Sequence, residues 1–137
     1  MKDPAQLKIV EDFIKAHQWA VLATVTGNGL PQAAALGFFP KENFKLIFGT
    51  FDSSRKYHNL KANPNVALVI GWDKGVTVQY EGVAHEIESA EELHLPKVAS
   101  AVKYISSYEE RFFEITPKWI KYSDWSHDPR AEFEIRF

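Results

Sequence analysis

The period of the hydrophobic positions changes several times along this chain, and each change marks an element. Leu7, Val10, Phe13 and Ile14 recur at the spacing of one helical face. Asp3-Pro4-Ala5-Gln6 ahead of them reads as a helix start: Asp3 can cap, Pro4 suits the first helical position, and Gln6 can close a capping box. The spacing predicts a helix to about Ala16. WAVLATVT is then β-rich and stops at Gly27-Asn28-Gly29, a hairpin signal, with LPQAAALGFF as the returning strand. Pro40-Lys41-Glu42-Asn43 reads as a turn and FKLIFGT as the third strand. A helix from about Ser53 to Ala62 must end at Asn63-Pro64, because proline disfavours helical geometry in the residue before it.

NVALVIGW is the fourth strand, and Asp73-Lys74-Gly75 turns the chain. In the fifth, Val76, Val78 and Tyr80 alternate with Thr77, Gln79 and Glu81, the two-residue period of a half-buried strand. Ser89-Ala90-Glu91-Glu92 starts a further helix, with Pro96 as its break. Phe113, Ile115 and Trp119 share one parity of a sixth strand, and Phe133, Ile135 and Phe137 share one parity of a seventh. No repeat, linker or low-complexity tract interrupts this order, so 1–137 reads as a single domain. Antiparallel hairpins with a few helices suggest a small β-barrel with helical decoration. An apolar terminal strand is an exposed edge unless covered, and a second subunit is the natural cover.

Composition narrows the function classes. The chain has 137 residues, 45% hydrophobic and 25% charged, the balance of a globular domain. Aromatic residues make up 14%, enough to fill a core, line a flat ligand or build a subunit interface. A net charge of −2 argues against nucleic-acid binding, which needs a basic field. The absence of cysteine excludes disulfides, thiolate metal sites and cysteine nucleophiles. MKDPAQLKIVEDF is a charged helix start and not a signal peptide, and no apolar run approaches a membrane span, so a soluble cytoplasmic protein is expected.

Candidate chemistry concentrates in GTFDSSRKYHNL, residues 49–60. A helix N-terminus there offers free backbone N–H groups and partial positive charge, and Thr50, Ser53, Ser54, Arg55 and Lys56 add hydroxyls and cations within one turn of chain. The stretch suits a phosphate. It equally suits an ordinary cap by Asp52 or Ser53 with the two cations solvated, and the Asp52 carboxylate would compete with an anion. The histidines at 17, 58, 85, 94 and 127 show no metal-ligand spacing. Gly27-Asn28-Gly29 is not a dinucleotide loop. Glu91-Glu92 and Glu109-Glu110 read as solvated faces, and no serine sits in a nucleophile elbow.

From Trp19 to Trp72, the sequence resembles the pyridoxamine 5′-phosphate oxidase-like family of FMN-binding split barrels. The resemblance lies in AVLATVTGNGLP, the strand ending LIFGT, SSRKYHNLKANPNVALVIGW, and later VTVQYEGVA. It implies a mainly β split barrel of about six to seven antiparallel strands, forming a homodimer with FMN in clefts between subunits. It implies that Ser54, Arg55 and Lys56 hold the FMN phosphate. Gly49 and Thr50, just upstream, would contact the phosphate or ribityl chain, and the backbone of Ala34, Ala35 and Leu36 would lie along the flavin ring. Thr77 stands where the family often has a flavin-contacting glutamine. Trp119, Tyr122 and Trp125 are candidates to reach the partner's flavin, Trp125 first. A flat or apolar substrate would then sit near Phe38, Phe39 and Trp125. His58, which follows the two cations, reads as a solvated or capping histidine, with a place near the cofactor as the alternative.

The departures are informative. The second strand of true pyridoxamine-phosphate oxidases reads R-x-V-L-L-K, and an ungapped count puts Ala34 and Phe39 at its Arg and Lys. The C-terminal R-L-H substrate motif has no counterpart. The expectation is therefore a flavin-dependent oxidoreductase with no resident metal that is not itself a pyridoxamine-phosphate oxidase. The alternatives are a non-catalytic flavin-binding protein for storage, sensing or stress, or the same fold holding deazaflavin or haem.

Overall fold

The computed structural model describes residues 2–88 and 110–137. Helix α1 spans Pro4–Lys15, with Pro4 in its first turn. The Asp3 carboxylate accepts from the Ala5 N–H at 2.8 Å, so the expected cap forms. Val10 and Ile14 are its buried residues. Ala16 closes the helix as its C-cap.

The strands are β1 (Trp19–Val25), β2 (Pro31–Gly37), β3 (Phe39–Pro40), β4 (Leu46–Phe51), β5 (Asn65–Ile70), β6 (Val76–Ile87), β7 (Glu110–Asp124) and β8 (Ala131–Arg136); a second helix, α2, spans Arg55–Ala62 between β4 and β5. All pairings are antiparallel, in the order β2-β1-β5-β6-β7-β4-β3, with β8 added beside β7. With the two-residue β3 set aside, this is the curled, mainly β architecture the sequence predicts, a split barrel with two helices. The long β7 makes the curl possible. Its first half pairs with β4 and its second half with β8, while β6 runs along its other side.

Inward positions of successive strands meet in one core that includes Leu22, Phe48, Leu68, Tyr80, Phe113 and Ile120. Tyr80 is fully buried and donates its hydroxyl to the Phe44 carbonyl at 2.7 Å. Burial, reinforced by the charge of Glu114, pushes this phenol far above its ordinary value, so it stays neutral.

Three expectations change in detail. LPQAAALGFF is not one strand. It breaks at Phe38, whose side chain enters the core while its N–H donates to the Gln18 carbonyl at 3.0 Å. The Pro40–Asn43 turn is a 3-10 segment, Glu42–Phe44, with Asn43 at φ 60° and Phe44 at φ 63°. Asparagine tolerates that left-handed geometry, whereas phenylalanine is held there by packing against the core. Trp119 does not share the face of Phe113 and Ile115. Glu81 pairs with Trp119 and Gly82 with Pro117, so Lys118 is an extra residue and the bulge inverts the parity beyond it. Ile120 takes the inward position, and Trp119 donates its indole N–H outward to Glu134 at 2.7 Å. The helix expected from Ser89, with Pro96 as its break, lies outside the described residues.

Glu114 faces away from the core yet is only 6% exposed, because Lys41 (2.8 Å), Lys45 (3.5 Å) and His85 (3.4 Å) converge on it. Burial on its own would raise this carboxyl, but the three basic partners outweigh it and hold it below the ordinary glutamate value. A depressed folded pKa adds stability above the unfolded value, about 4.3, and the contribution is lost as pH falls through the lower folded value. Glu114→Gln is therefore expected to melt earlier at neutral pH. Its melting temperature should also fall less steeply than that of the parent on acidification. Parallel slopes in the two proteins would mean that Glu114 does not titrate as described.

Candidate cofactor cleft

The junction of β4 and α2 is built from short hydrogen bonds. Ser54 has extended backbone angles (φ −76°, ψ 153°) and is the N-cap of α2; its Oγ accepts from the Tyr57 N–H at 3.2 Å. The cap is thus neither Asp52 nor Ser53, and the helix starts later than its sequence suggests. Thr50, buried at the end of β4, places its Oγ1 2.8 Å from Ser54 Oγ. The N–H groups of Arg55 and Lys56 open the helix and have no intrahelical acceptor. Asp52 lies 3.9 Å from the Arg111 guanidinium. Its charge therefore has a partner on β7.

A cleft of about 200 Å³ opens beside this helix start, lined by Leu22, Thr24, Gln32, Ala33, Ala34, Arg55 and Lys56. None of these is acidic. Neither Arg55 nor Lys56 forms an ion pair among the described residues. Burial pulls the Lys56 ammonium below the ordinary lysine value. A partly desolvated cation without a counter-ion gains from any anion that enters.

Helix α2 is fixed against the sheet by the buried Asn59. Its side-chain amide donates to Thr24 Oγ1 at 3.0 Å and to Gln32 Oε1 at 2.8 Å. On the other side, Glu86 receives Lys61 at 2.8 Å and the Tyr57 hydroxyl at 3.3 Å. The hydrogen bond from Lys61 is the main reason that the Glu86 carboxyl is held below its ordinary value. Asn59→Leu strands the buried Thr24 hydroxyl and the half-buried Gln32 amide. It is expected to cost about 1–3 kcal/mol, measured by denaturant unfolding. An unchanged midpoint would show that those groups find other partners.

The edge of β2 supplies a second surface. Thr26 N–H donates to Leu30 O at 2.9 Å and Phe38 N–H to Gln18 O at 3.0 Å, at the two ends of the β1–β2 ladder. Between them the register pairs Ala20 with Leu36, Leu22 with Ala34 and Thr24 with Gln32. Hydrogen-bonded pairs alternate in an antiparallel ladder, so these residues spend their backbone groups on β1. Ala33, Ala35 and Gly37 instead direct N–H and C=O away from β1, and β2 ends the strand order. A row of backbone donors and acceptors therefore runs from the Arg55–Lys56 cleft toward Gly37.

Of the residues singled out in the sequence, Ala34, Arg55 and Lys56 line the cleft, and Thr50 and Ser54 form the hydroxyl pair beneath it. Ala35 lies exposed on the β2 edge, whereas Leu36 turns into the core. Gly49 lies on β4, where a Cβ would meet Glu110 Oε1 at 2.5 Å and Phe112 at 3.1 Å, so a larger residue would have to displace the Glu110 side chain. Thr77 pairs with Ser123, and Trp125 donates its backbone N–H to the Gly75 carbonyl at 2.7 Å. Both sit at the open end of the β6–β7 pair, away from the cleft of the same chain. Trp125 is 61% exposed with Arg130 stacked 4.8 Å from its ring centroid. Tyr122 stacks on Phe133 at 5.1 Å, and Trp119 points to Glu134. Phe38 is in the core, so it does not line an open substrate pocket. His58 is exposed on α2 and contributes no wall to the cleft.

Thr24, Gln32 and Asn59 were not singled out in the sequence. The signal was present in parity: Thr24 continues the inward series Ala20, Leu22, and Gln32 stands opposite it. A polar residue at an inward strand position needs a buried partner.

Among the described residues no group of acidic residues and histidines has metal-ligand geometry, and no helix is long and apolar enough to cross a membrane.

Comparison with known proteins extends this picture. The pyridoxamine 5′-phosphate oxidase family matches residues 7–124. No curated protein matches the chain. Among solved structures, the General Stress Protein 26 from Bacillus anthracis is 23% identical, with 95% of this chain and 97% of that one covered and a TM-score of 0.73. A pyridoxamine 5′-phosphate oxidase-related, FMN binding protein from Nostoc punctiforme is 14% identical, covering 100% and 98%, with a TM-score of 0.69. A heme binding protein from Mycobacterium smegmatis is 16% identical, covering 97% of this chain and 59% of that one, with a TM-score of 0.73. At these identities the structures share a fold, while the family match spans most of the sequence. The chain belongs to the pyridoxamine 5′-phosphate oxidase family.

Proposed function

We propose that this chain is an FMN-binding flavoprotein that works as a flavin-dependent oxidoreductase. The carrying observation is the pair Arg55 and Lys56, cations at a helix start that form no ion pair among the described residues and open on a cleft with no acidic lining residue. In this reading the FMN phosphate takes the N–H groups and cations of α2, with the Thr50–Ser54 hydroxyls beneath. The cleft is sized for the phosphate end, and the ring extends along β2, where Ala33, Ala35 and Gly37 offer donors and acceptors without side-chain bulk. Bound flavin would supply the electron or hydride transfer; the chain's residues bind it, orient it and exclude water.

A homodimer completes the site in this proposal. Val21, Ala23, Ala33, Ala35 and Val69 lie on the outer face of β1, β2 and β5, and Leu30 beside them is 58% exposed. A second copy would cover that small-residue face, and Thr77 and Trp125 are the candidates to reach its flavin. With Ala34 and Phe39 at the family's Arg and Lys positions, a phosphorylated pyridoxine substrate has no cationic seat on this strand. The protein is therefore assigned no pyridoxamine-phosphate oxidase activity. Deazaflavin shares the flat ring and phosphate, and would use the same seat. Haem would need an axial ligand, and no histidine lines this cleft among the described residues.

Calorimetric titration with FMN and riboflavin tests the assignment. FMN is expected to bind at least about tenfold more tightly, the worth of one or more charge-assisted bonds. Equal affinities would remove the phosphate seat from the account. Anaerobic bleaching of the bound flavin by NADH or NADPH would support turnover, and bound flavin that no donor reduces would favour the non-catalytic reading.

A further inference from the structure

A second cleft, of about 350 Å³, lies between the end of α1, the start of β1 and the end of β5, lined by Ala16, His17, Gln18, Trp19, Gly71, Trp72 and Asp73. Its walls are unusual for a soluble surface. Trp19 is 62% exposed and Trp72 56%, and neither indole packs against another ring among the described residues. Leaving two such side chains open forgoes a large hydrophobic gain unless the faces are used.

His17 and Asp73 supply the cleft with acceptors, beside the Gln18 amide and the indole N–H donors. His17 Nδ1 lies 2.7 Å from the Phe13 carbonyl, which can only accept, so the proton sits on Nδ1 and Nε2 is left as an acceptor. Gly71 brings its backbone close to that ring: a Cβ there would collide with Phe13 and lie 3.2 Å from His17 Nε2. With φ at +75° the position also favours glycine. Asp73 adds a carboxylate with no ion pair among the described residues. No lysine or arginine lines the cleft; Lys15, next to its rim in sequence, is held by Glu11 at 2.8 Å, and Lys74 follows Asp73 as an exposed residue of the turn.

Two indoles, an imidazole acceptor and a carboxylate with no ion pair among the described residues recognise positive charge. We propose that this cleft binds a small organic ammonium cation, with Trp19 and Trp72 as its aromatic walls and Asp73 as its counter-ion. The cleft starts where the open edge of β2 ends, since Trp19 pairs with Gly37. Trp19 continues the outer face of Val21 and Ala23, so the inference requires that a second copy seated on that face leave this end of β1 open; it does not depend on bound flavin.

The test is a tryptophan-emission titration of the cofactor-free protein with choline and with its neutral isostere 3,3-dimethylbutan-1-ol. Choline is expected to give a saturable change, with the neutral alcohol at least about tenfold weaker. The choline response should be lost in Trp72→Ala and weakened several-fold in Asp73→Asn, which removes only the charge. Equal affinity for the two probes, no saturation by choline, or an undiminished response in Asp73→Asn would each overturn the proposal. A second copy of the chain covering the cleft would appear as the absence of choline binding, with FMN binding measured separately.

Discussion

Arg55→Ala and Lys56→Ala are each expected to weaken the proposed FMN binding by about 1–3 kcal/mol, the range for hydrogen bonds to charged groups. The double variant should reduce retention on desalting to background. The expectation follows from what each cation lacks. Neither has a carboxylate partner among the described residues, and Lys56 is held partly out of water with its ammonium below the ordinary value. Removing either one therefore breaks no ion pair among the described residues, and the folded protein should melt close to the parent. The loss should be specific to the phosphate: riboflavin affinity stays unchanged in both variants. Unchanged FMN affinity in both would show that the helix start is a cap and nothing more. A matching loss for riboflavin would mean that the cations contact the ring or the sheet instead.

Phe113→Ala is expected to destabilise the fold by about 3–5 kcal/mol, as for large-to-small changes at fully packed aromatic positions. Phe113 is 1% exposed, stacks on Phe48 with centroids 5.5 Å apart, and meets Tyr57 of α2 edge-on at 5.9 Å. It therefore links β7 to β4 and to the helix that carries the cleft. The melting temperature should fall on the order of 10–20 °C for a chain of this length. FMN affinity should fall as well, because α2 loses one of the surfaces that orient it. A cost below about 1 kcal/mol would mean that neighbouring side chains refill the space and that α2 is positioned by Asn59 and Glu86 alone.

These residues also show how far the sequence could be read. The strands were legible because apolar residues alternate in them, and Val78 and Tyr80 are buried as that period demands. The helix over Leu7 to Ile14 was legible from one apolar face and its proline-initiated start. Trp119 was misread because a bulge is a local property of two paired strands, invisible in one strand's parity. The cap at Ser54 was displaced because three consecutive residues, Asp52, Ser53 and Ser54, can all accept from a helix start, and only backbone angles choose among them. The clustering of Arg55 and Lys56 was visible because it is sequential. Their meeting with Thr24, Gln32 and Ala34 was not, since it depends on where α2 docks on β1 and β2. The pairing of Asp52 with Arg111 answers the competition that the sequence raised, across a separation no local motif spans.

The account turns on a flavin seated between α2 and the edge of β2. Its most direct test is the visible absorption spectrum of the purified protein, loaded with FMN and then desalted. The prediction is a retained flavin band, stoichiometric with the chain and absent from an Arg55→Ala, Lys56→Ala control carried through the same column. A colourless protein with all of the flavin in the flow-through, or a protein that emerges with a Soret band instead, would contradict it.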